Sequence, residues 1–192
     1  PATFYDPSAA RLVTPGNFED HLDRLAECDL VIEAVVENMD IKQKLFARVE
    51  PHLAKHAILA SNTSGLKIAE MTRDLSDDVK SRFLVLHFFN PVRYMRLLEI
   101  IRGEKTSDDA VERAASFGEF LGKGVVYGKD TVNFVANRIG IYAIMKAIRL
   151  MQEQDLSIEE VDKIAGPPMA RPKSAAFKTG DPNGNGEADE IP

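Results

Sequence analysis

Hydrophobic positions along the chain follow two alternating periods. Leu30 to Val36 is β-branched and nearly continuous in apolar character, broken only by Glu33, which suits a strand covered on both faces. From Asp40 the period lengthens: Ile41, Leu45, Phe46, Val49 and Leu53 mark one face of a helix, with charges opposite. Ala57 to Ala60 predicts a second strand, followed at once by the polar turn Ser61-Asn62-Thr63-Ser64-Gly65 and a short helix around Ile68 to Met71. Phe83 to Leu86 reads as a third strand, stopped by Asn90-Pro91, and Leu97 to Ile101 as a fourth, ended by Gly103. Thr106-Ser107-Asp108-Asp109 supplies capping residues for a helix over Ala110 to Leu121, with Gly122 as its stop. Val125-Val126-Tyr127 is a brief fifth strand. Near the start, Leu12-Val13 reads as a short strand, and Phe18, Leu22 and Leu25 recur at helical spacing before Asp29.

After Asp130 the strand pattern stops. Phe134 to Met151 predicts one long helix with a broad apolar surface from Ile139, Tyr142, Met145 and Leu150. Ser157 and Glu160 form a capping box for another helix, which Gly166-Pro167-Pro168 terminates. Strands alternating with helices, then helices only, predict an α/β domain followed by the start of an all-α domain. The expected boundaries are 1–130 for the α/β part, 131–179 for the first helices and 180–192 for a Gly-, Asn- and acid-rich tail.

Composition narrows the classes. The 192 residues are 44% hydrophobic and 28% charged with a formal net charge of -6, an ordinary globular balance that argues against a partner held by phosphate neutralisation. No nucleic acid is therefore expected, and the apolar runs are too short and too acidic to predict a membrane span. The single cysteine, Cys28, excludes a disulfide framework and a multi-cysteine metal site within one chain, and suits a reducing, cytoplasmic compartment. A chain that opens on Pro1 without an initiator Met is expected to begin inside a longer polypeptide or to have been processed.

Candidate chemistry concentrates at strand ends. Gly122-Lys123-Gly124 with Gly128 has the look of a dinucleotide loop, but it follows a helix and leads into a strand, the reverse of what phosphate binding at a helix N-terminus requires. It reads as a cap and connector. His87-Phe88-Phe89-Asn90-Pro91 lies just past a strand, where open α/β sheets bind ligands. Twelve residues on from His87, Glu99 interrupts an apolar strand, and a carboxylate there needs a cationic or donor partner. His87 can be that partner, and a carboxylate-oriented imidazole can act as a base near neutral pH. The bland alternative is a histidine that only hydrogen-bonds a loop. His21, His52 and His56 sit in charged surroundings and read as solvated. Asn62-Thr63-Ser64 and Asn137-Arg138 are polar islands that turn capping and interhelical hydrogen bonding also explain. Asp181 to Gly186 matches half of a calcium loop, but its twelfth position is Pro192 and not Glu, so no metal site is expected.

Taken together, Val31-Ile32-Glu33-Ala34-Val35-Val36-Glu37-Asn38, Ser61-Asn62-Thr63-Ser64, His87 to Pro91, Leu98-Glu99-Ile100-Ile101, and Lys129-Asp130-Thr131 with Asn137-Arg138 resemble the 3-hydroxyacyl-CoA dehydrogenase family in order and spacing, across about 25–174. The resemblance implies a Rossmann-type parallel sheet followed by a helical dimerisation domain, NAD as cofactor and a 3-hydroxyacyl-CoA substrate. It implies His87 as general base, Glu99 as its orienting carboxylate, and Ser64 and Asn137 as contacts of the substrate's reacting oxygen. Ala34, Glu37, Lys42 and Asn62 match positions that line the NAD site. Arg171 to Phe177, with Asn133-Phe134, is similar to long bacterial members that also carry a hydratase domain.

The sequence departs from the family in places. Val132-Asn133 stands where many members have Pro-Gly, and the interval between Ser64 and His87 is longer, placed here as a loop at Asp74 to Asp78. The family's first strand with its Gly-x-Gly-x-Met-Gly loop, and the second half of the helical domain, have no counterpart in these 192 residues. The expectation is a piece of a dehydrogenase that forms a homodimer when complete. Its rivals are a family-like domain without enzymatic activity and a 3-hydroxyacid dehydrogenase with a catalytic Lys.

Overall fold

The computed structural model describes residues 6–169 and 176–177. Strands β1 (Leu30–Glu33), β2 (Ile58–Ser61), β3 (Phe83–Phe88), β4 (Leu97–Arg102) and β5 (Gly124–Lys129) form one sheet in that order. β1, β2 and β3 are mutually parallel, as are β4 and β5, but β4 runs antiparallel to β3. The expected parallel sheet is thus mostly parallel. The reason is the short 89–96 connection: a parallel return needs a crossover of about a dozen residues or more.

Alternation along β3 and β4 divides two apolar layers. Phe83, Val85 and Ile101 face a layer with Phe46, Val49, Ile68, Met71 and Phe134. Leu84, Leu86, Leu98 and Ile100 face the other, with Ala110, Ala114 and Ala115. His87 and Glu99 share the parity of the first layer, so the pattern that buries Val85 also buries them.

The helices over these layers are α1 (Met39–Val49), α2 (Ile68–Met71), α3 (Asp77–Ser81) and α4 (Asp108–Phe120). Asn38 caps α1, and Ser107 caps α4, each through a side-chain oxygen that accepts a backbone N–H. Gly122, at φ 73°, ends α4: its own N–H reaches the Glu119 carbonyl at 2.8 Å and that of Lys123 reaches Gly118 at 3.0 Å. This pairing needs a left-handed residue, which glycine supplies without steric cost. The glycine run is therefore a helix stop, as its order along the chain implies.

Several local expectations change. Pro7–Leu12 is a 3-10 helix where a strand at Leu12-Val13 was expected, because Asp6 accepts the Ser8 N–H and Pro7 sits in the first turn. β1 ends at Glu33, since the Val35 N–H turns back to the Glu33 carboxylate and the Asn38 N–H to the Val36 carbonyl. α3 occupies part of the loop expected around Asp74 to Asp78, nucleated by its Ser76 cap.

The chain divides into two compact units, Pro1–Phe134 and Val135–Pro192. In the second, α5 (Ala136–Glu153) starts two residues later than the expected Phe134, because Asn133 and Phe134 hold positive φ of 62° and 45°. α6 (Ile158–Ala165) opens on the expected Ser157–Glu160 capping box, and Val161, Ala165 and Ala176 form a small core with Ala147, Met151, Leu156 and Phe177. Among the described residues no helix is long and apolar enough to cross a membrane. The half calcium loop at Asp181 to Gly186 lies outside the described residues.

Candidate active site

Antiparallel pairing sets His87 directly opposite Glu99. Side chains of such a pair leave the sheet on one face, and here His87 Nδ1 lies 2.7 Å from Glu99 Oε2. His87 is 4% exposed and Glu99 is fully buried. The imidazole is flanked by two aromatic rings: Phe89 at 4.4 Å between centroids, and Phe134 edge-on at 5.7 Å. A buried carboxylate on Nδ1 selects the tautomer that carries its proton there and presents Nε2 as an acceptor. Such an Nε2 can take a proton from a hydroxyl, and the carboxylate stabilises the imidazolium that results. The two rings narrow the directions from which a ligand can reach it.

A second polar cluster lies at the C-terminal ends of β1 and β2. Lys42, on the buried face of α1, places Nζ 2.7 Å from Glu33 Oε1, 3.3 Å from Glu37 Oε2 and 3.4 Å from the Val35 carbonyl. The Ser61 hydroxyl donates to Glu33 Oε2 at 2.6 Å, and the Thr63 hydroxyl donates to Glu37. The Ser64 N–H reaches the same Glu37 oxygen at 3.0 Å. Partial burial pushes the Glu37 carboxyl up, but the bonds from Thr63 and Ser64 and the Lys42 charge outweigh it and hold Glu37 below the ordinary glutamate range.

Asn62 joins the two clusters. Its N–H donates to the Glu33 carbonyl at 2.8 Å, and its Oδ1 accepts the Phe88 N–H at 3.0 Å. The turn that carries Ser64 is therefore tied to the residue beside His87. Ala34 is exposed just past β1, presenting only a methyl group. Asn137 belongs to the second unit, in the first turn of α5.

The structure thus gathers His87 with Glu99, and Glu37 with Lys42, around the Asn62–Ser64 turn. Sequence reasoning did not single out Glu33, Ser61 or Thr63, although Glu33 was legible as the one polar break in an apolar run. The flanking of His87 by Phe134, 47 positions away along the chain, had no local signal. His21 accepts the Asn17 N–H and His56 pairs with Asp29 at 3.1 Å, both outside these clusters. Among the described residues no group of three or more His, Cys, Asp or Glu could hold a metal ion.

Comparison with known proteins is consistent across three measures. A family model described as the NAD binding domain of 3-hydroxyacyl-CoA dehydrogenase matches residues 2–131. A probable 3-hydroxyacyl-CoA dehydrogenase of Bacillus subtilis is 47% identical over 180 residues, which is 93% of this chain and 23% of that protein. Its counterpart in Deinococcus radiodurans is 44% identical over 185 residues, 96% of this chain and 54% of the relative. Among solved structures, an (S)-3-hydroxybutyryl-CoA dehydrogenase from Ralstonia eutropha superposes with a TM-score of 0.72 at 36% identity, covering 79% of this chain and 53% of the other. The chain spans about half or less of the length of these relatives.

Proposed function

We propose that this chain, which belongs to the 3-hydroxyacyl-CoA dehydrogenase family, carries the acid–base part of an NAD-dependent oxidation of 3-hydroxyacyl-CoA to 3-oxoacyl-CoA, in the direction of fatty-acid β-oxidation. The observation that carries the reading is the buried His87–Glu99 pair, with the carboxylate on Nδ1.

Nε2 of His87 takes the proton of the substrate's 3-hydroxyl. Glu99 holds the ring and balances the charge it acquires, so that the oxygen's electron pair can form the carbonyl as the C–H bond breaks. NAD, when bound, would supply the hydride acceptor for the same carbon, which is oxidised by two electrons. The substrate oxygen is held by Ser64, to which the family resemblance assigns that contact. Orientation of this kind contributes as much as the proton transfer itself.

The donor set suits a dinucleotide. Parallel β1 and β2 end at one level, Glu33 beside Ser61, and β3 continues past them to Phe88, so the C-terminal ends of these strands lie where doubly wound sheets bind ligands. Asn62 spends Oδ1 on Phe88 and keeps its amide N–H groups, the exposed Ala34 admits close approach, and Glu37 offers a carboxylate. These residues would hold the cofactor.

The helical unit supplies a dimer surface in this reading. Ile139, Tyr142, Leu150, Ile164 and Met169 are exposed around an apolar groove of about 550 Å³ on α5 and α6. Light scattering of a Tyr142→Glu variant checks this: the dimer is expected to dissociate.

The experiment for the activity is spectrophotometric oxidation of NADH with acetoacetyl-CoA. It is run on this chain and on a chimera in which the chain replaces the matched part of the Deinococcus relative. Turnover in the chimera that His87→Gln removes supports the reading; turnover retained in His87→Gln overturns the base assignment.

A further inference from the structure

Glu33 is the one charged side chain inside the apolar β1 run, is 6% exposed, and has no part in the proton or hydride transfer. Its two oxygens are fully engaged. Oε1 accepts from Lys42 Nζ at 2.7 Å and from the Val35 N–H at 2.6 Å, while Oε2 accepts from the Ser61 hydroxyl at 2.6 Å.

Lys42 is 1% exposed; its ammonium donates to Glu33 at 2.7 Å and to the Val35 carbonyl at 3.4 Å, and pairs with Glu37 at 3.3 Å. The remaining links close a ring. Ser61 Oγ accepts the Thr63 N–H at 3.2 Å, the Thr63 hydroxyl donates to Glu37, and Glu37 returns to Lys42. The same Thr63 hydroxyl accepts the Leu66 N–H at 3.1 Å.

A buried ion pair is weak evidence of stabilisation, because desolvation offsets much of the attraction. What a closed ring does supply is registry. This one crosses from the turn after β1, which carries Ala34 and Glu37, to the turn after β2, which carries Asn62 and Ser64.

We propose that Glu33 is a positioning residue of the active site: through Lys42 and Ser61 it fixes the Asn62–Ser64 turn against the turn that opens α1. The identity of the ligand so served rests on the dehydrogenase reading above; the ring itself does not.

The experiment uses the 192-residue chain and two variants, Glu33→Gln and Ser61→Ala. Ser61→Ala keeps both charges of the ion pair and guards against a Glu33→Gln chain that fails to fold. Amide hydrogen exchange is followed at Ser64 and Leu66, neither bonded to the substituted atoms, and at Val85 and Ile100 in the sheet. NADH affinity is followed by nicotinamide fluorescence. In Ser61→Ala, exchange at Ser64 and Leu66 is expected to rise about tenfold or more while Val85 and Ile100 stay unchanged. NADH binding is expected to weaken by about tenfold, the size of one lost charge-assisted contact. Equal acceleration at all four amides shows a merely structural role and overturns the proposal, as does no acceleration at Ser64 and Leu66. If the unsubstituted chain binds no NADH, the cofactor reading fails for this chain, and the exchange pattern alone still decides the proposal.

Discussion

His87 and Glu99 face each other across an antiparallel strand pair, 2.7 Å apart and both buried, inside an otherwise apolar layer. Glu99→Gln keeps the shape of this pair and removes the charge that fixes the tautomer and stabilises the imidazolium. In the chimera, turnover is expected to fall by about 10²–10⁴-fold with KM little changed. The Glu99→Gln, His87→Gln double variant should lose little more than His87→Gln alone, since the two act as a unit. Steady-state kinetics decides it; independent, additive losses argue that Glu99 does not work through His87.

Lys42 gives a stability prediction. Lys42→Met leaves Glu33 buried with its cationic partner gone, at an expected cost of about 3–5 kcal/mol. Pairing it with Glu33→Gln removes both charges and should recover a large part of that loss. Urea unfolding of the two singles and the double measures the coupling. A double variant as unstable as the sum of the singles would mean that the pair does not interact.

Gly118 marks the close approach of α4 to the sheet. A Cβ there would sit 2.7 Å from Leu98 Cδ2 and 3.0 Å from Val125 Cγ2, both in the packed layer under the helix. Gly118→Ala gains helix propensity of about 1 kcal/mol but overpacks this contact by about 1–3 kcal/mol. The net expectation is a lower thermal midpoint. A midpoint raised by the substitution shows that Leu98 repacks freely.

The strands were legible because continuous apolar runs such as Leu30 to Ile32 and Phe83 to Leu86 differ sharply from the helical spacing of Ile41, Leu45 and Phe46. The His87–Glu99 pair was legible too, as two polar residues breaking apolar strands. Which way β4 runs was not written in either strand; the length of the 89–96 connection sets it. Nor could local pattern show that Lys42, which only the family resemblance singles out, turns inward to meet Glu33. Phe134 shows the same limit. Its apolar character fitted the start of a helix, but its burial in the first unit's core goes with a left-handed turn that holds it before α5.

Glu37 supplies the pH dependence. Its carboxyl is held below its ordinary value of 4.5 in the folded chain, because the Thr63 and Ser64 bonds and the Lys42 charge together outweigh burial. A carboxyl depressed on folding contributes stability that is fully present above its unfolded value and is lost as pH falls through the folded one. Thermal midpoints recorded downward from neutral pH should therefore decline for the unsubstituted chain once pH passes below about 4.5. Glu37→Gln should start lower at neutral pH and decline less over that acid range, so the two curves converge. The same titration protonates the oxygen that accepts the Ser64 N–H, so exchange at Ser64 should rise in the same window after correction for the intrinsic pH dependence of exchange. Parallel midpoint curves for the two chains would remove Glu37 as the source of the acid limb.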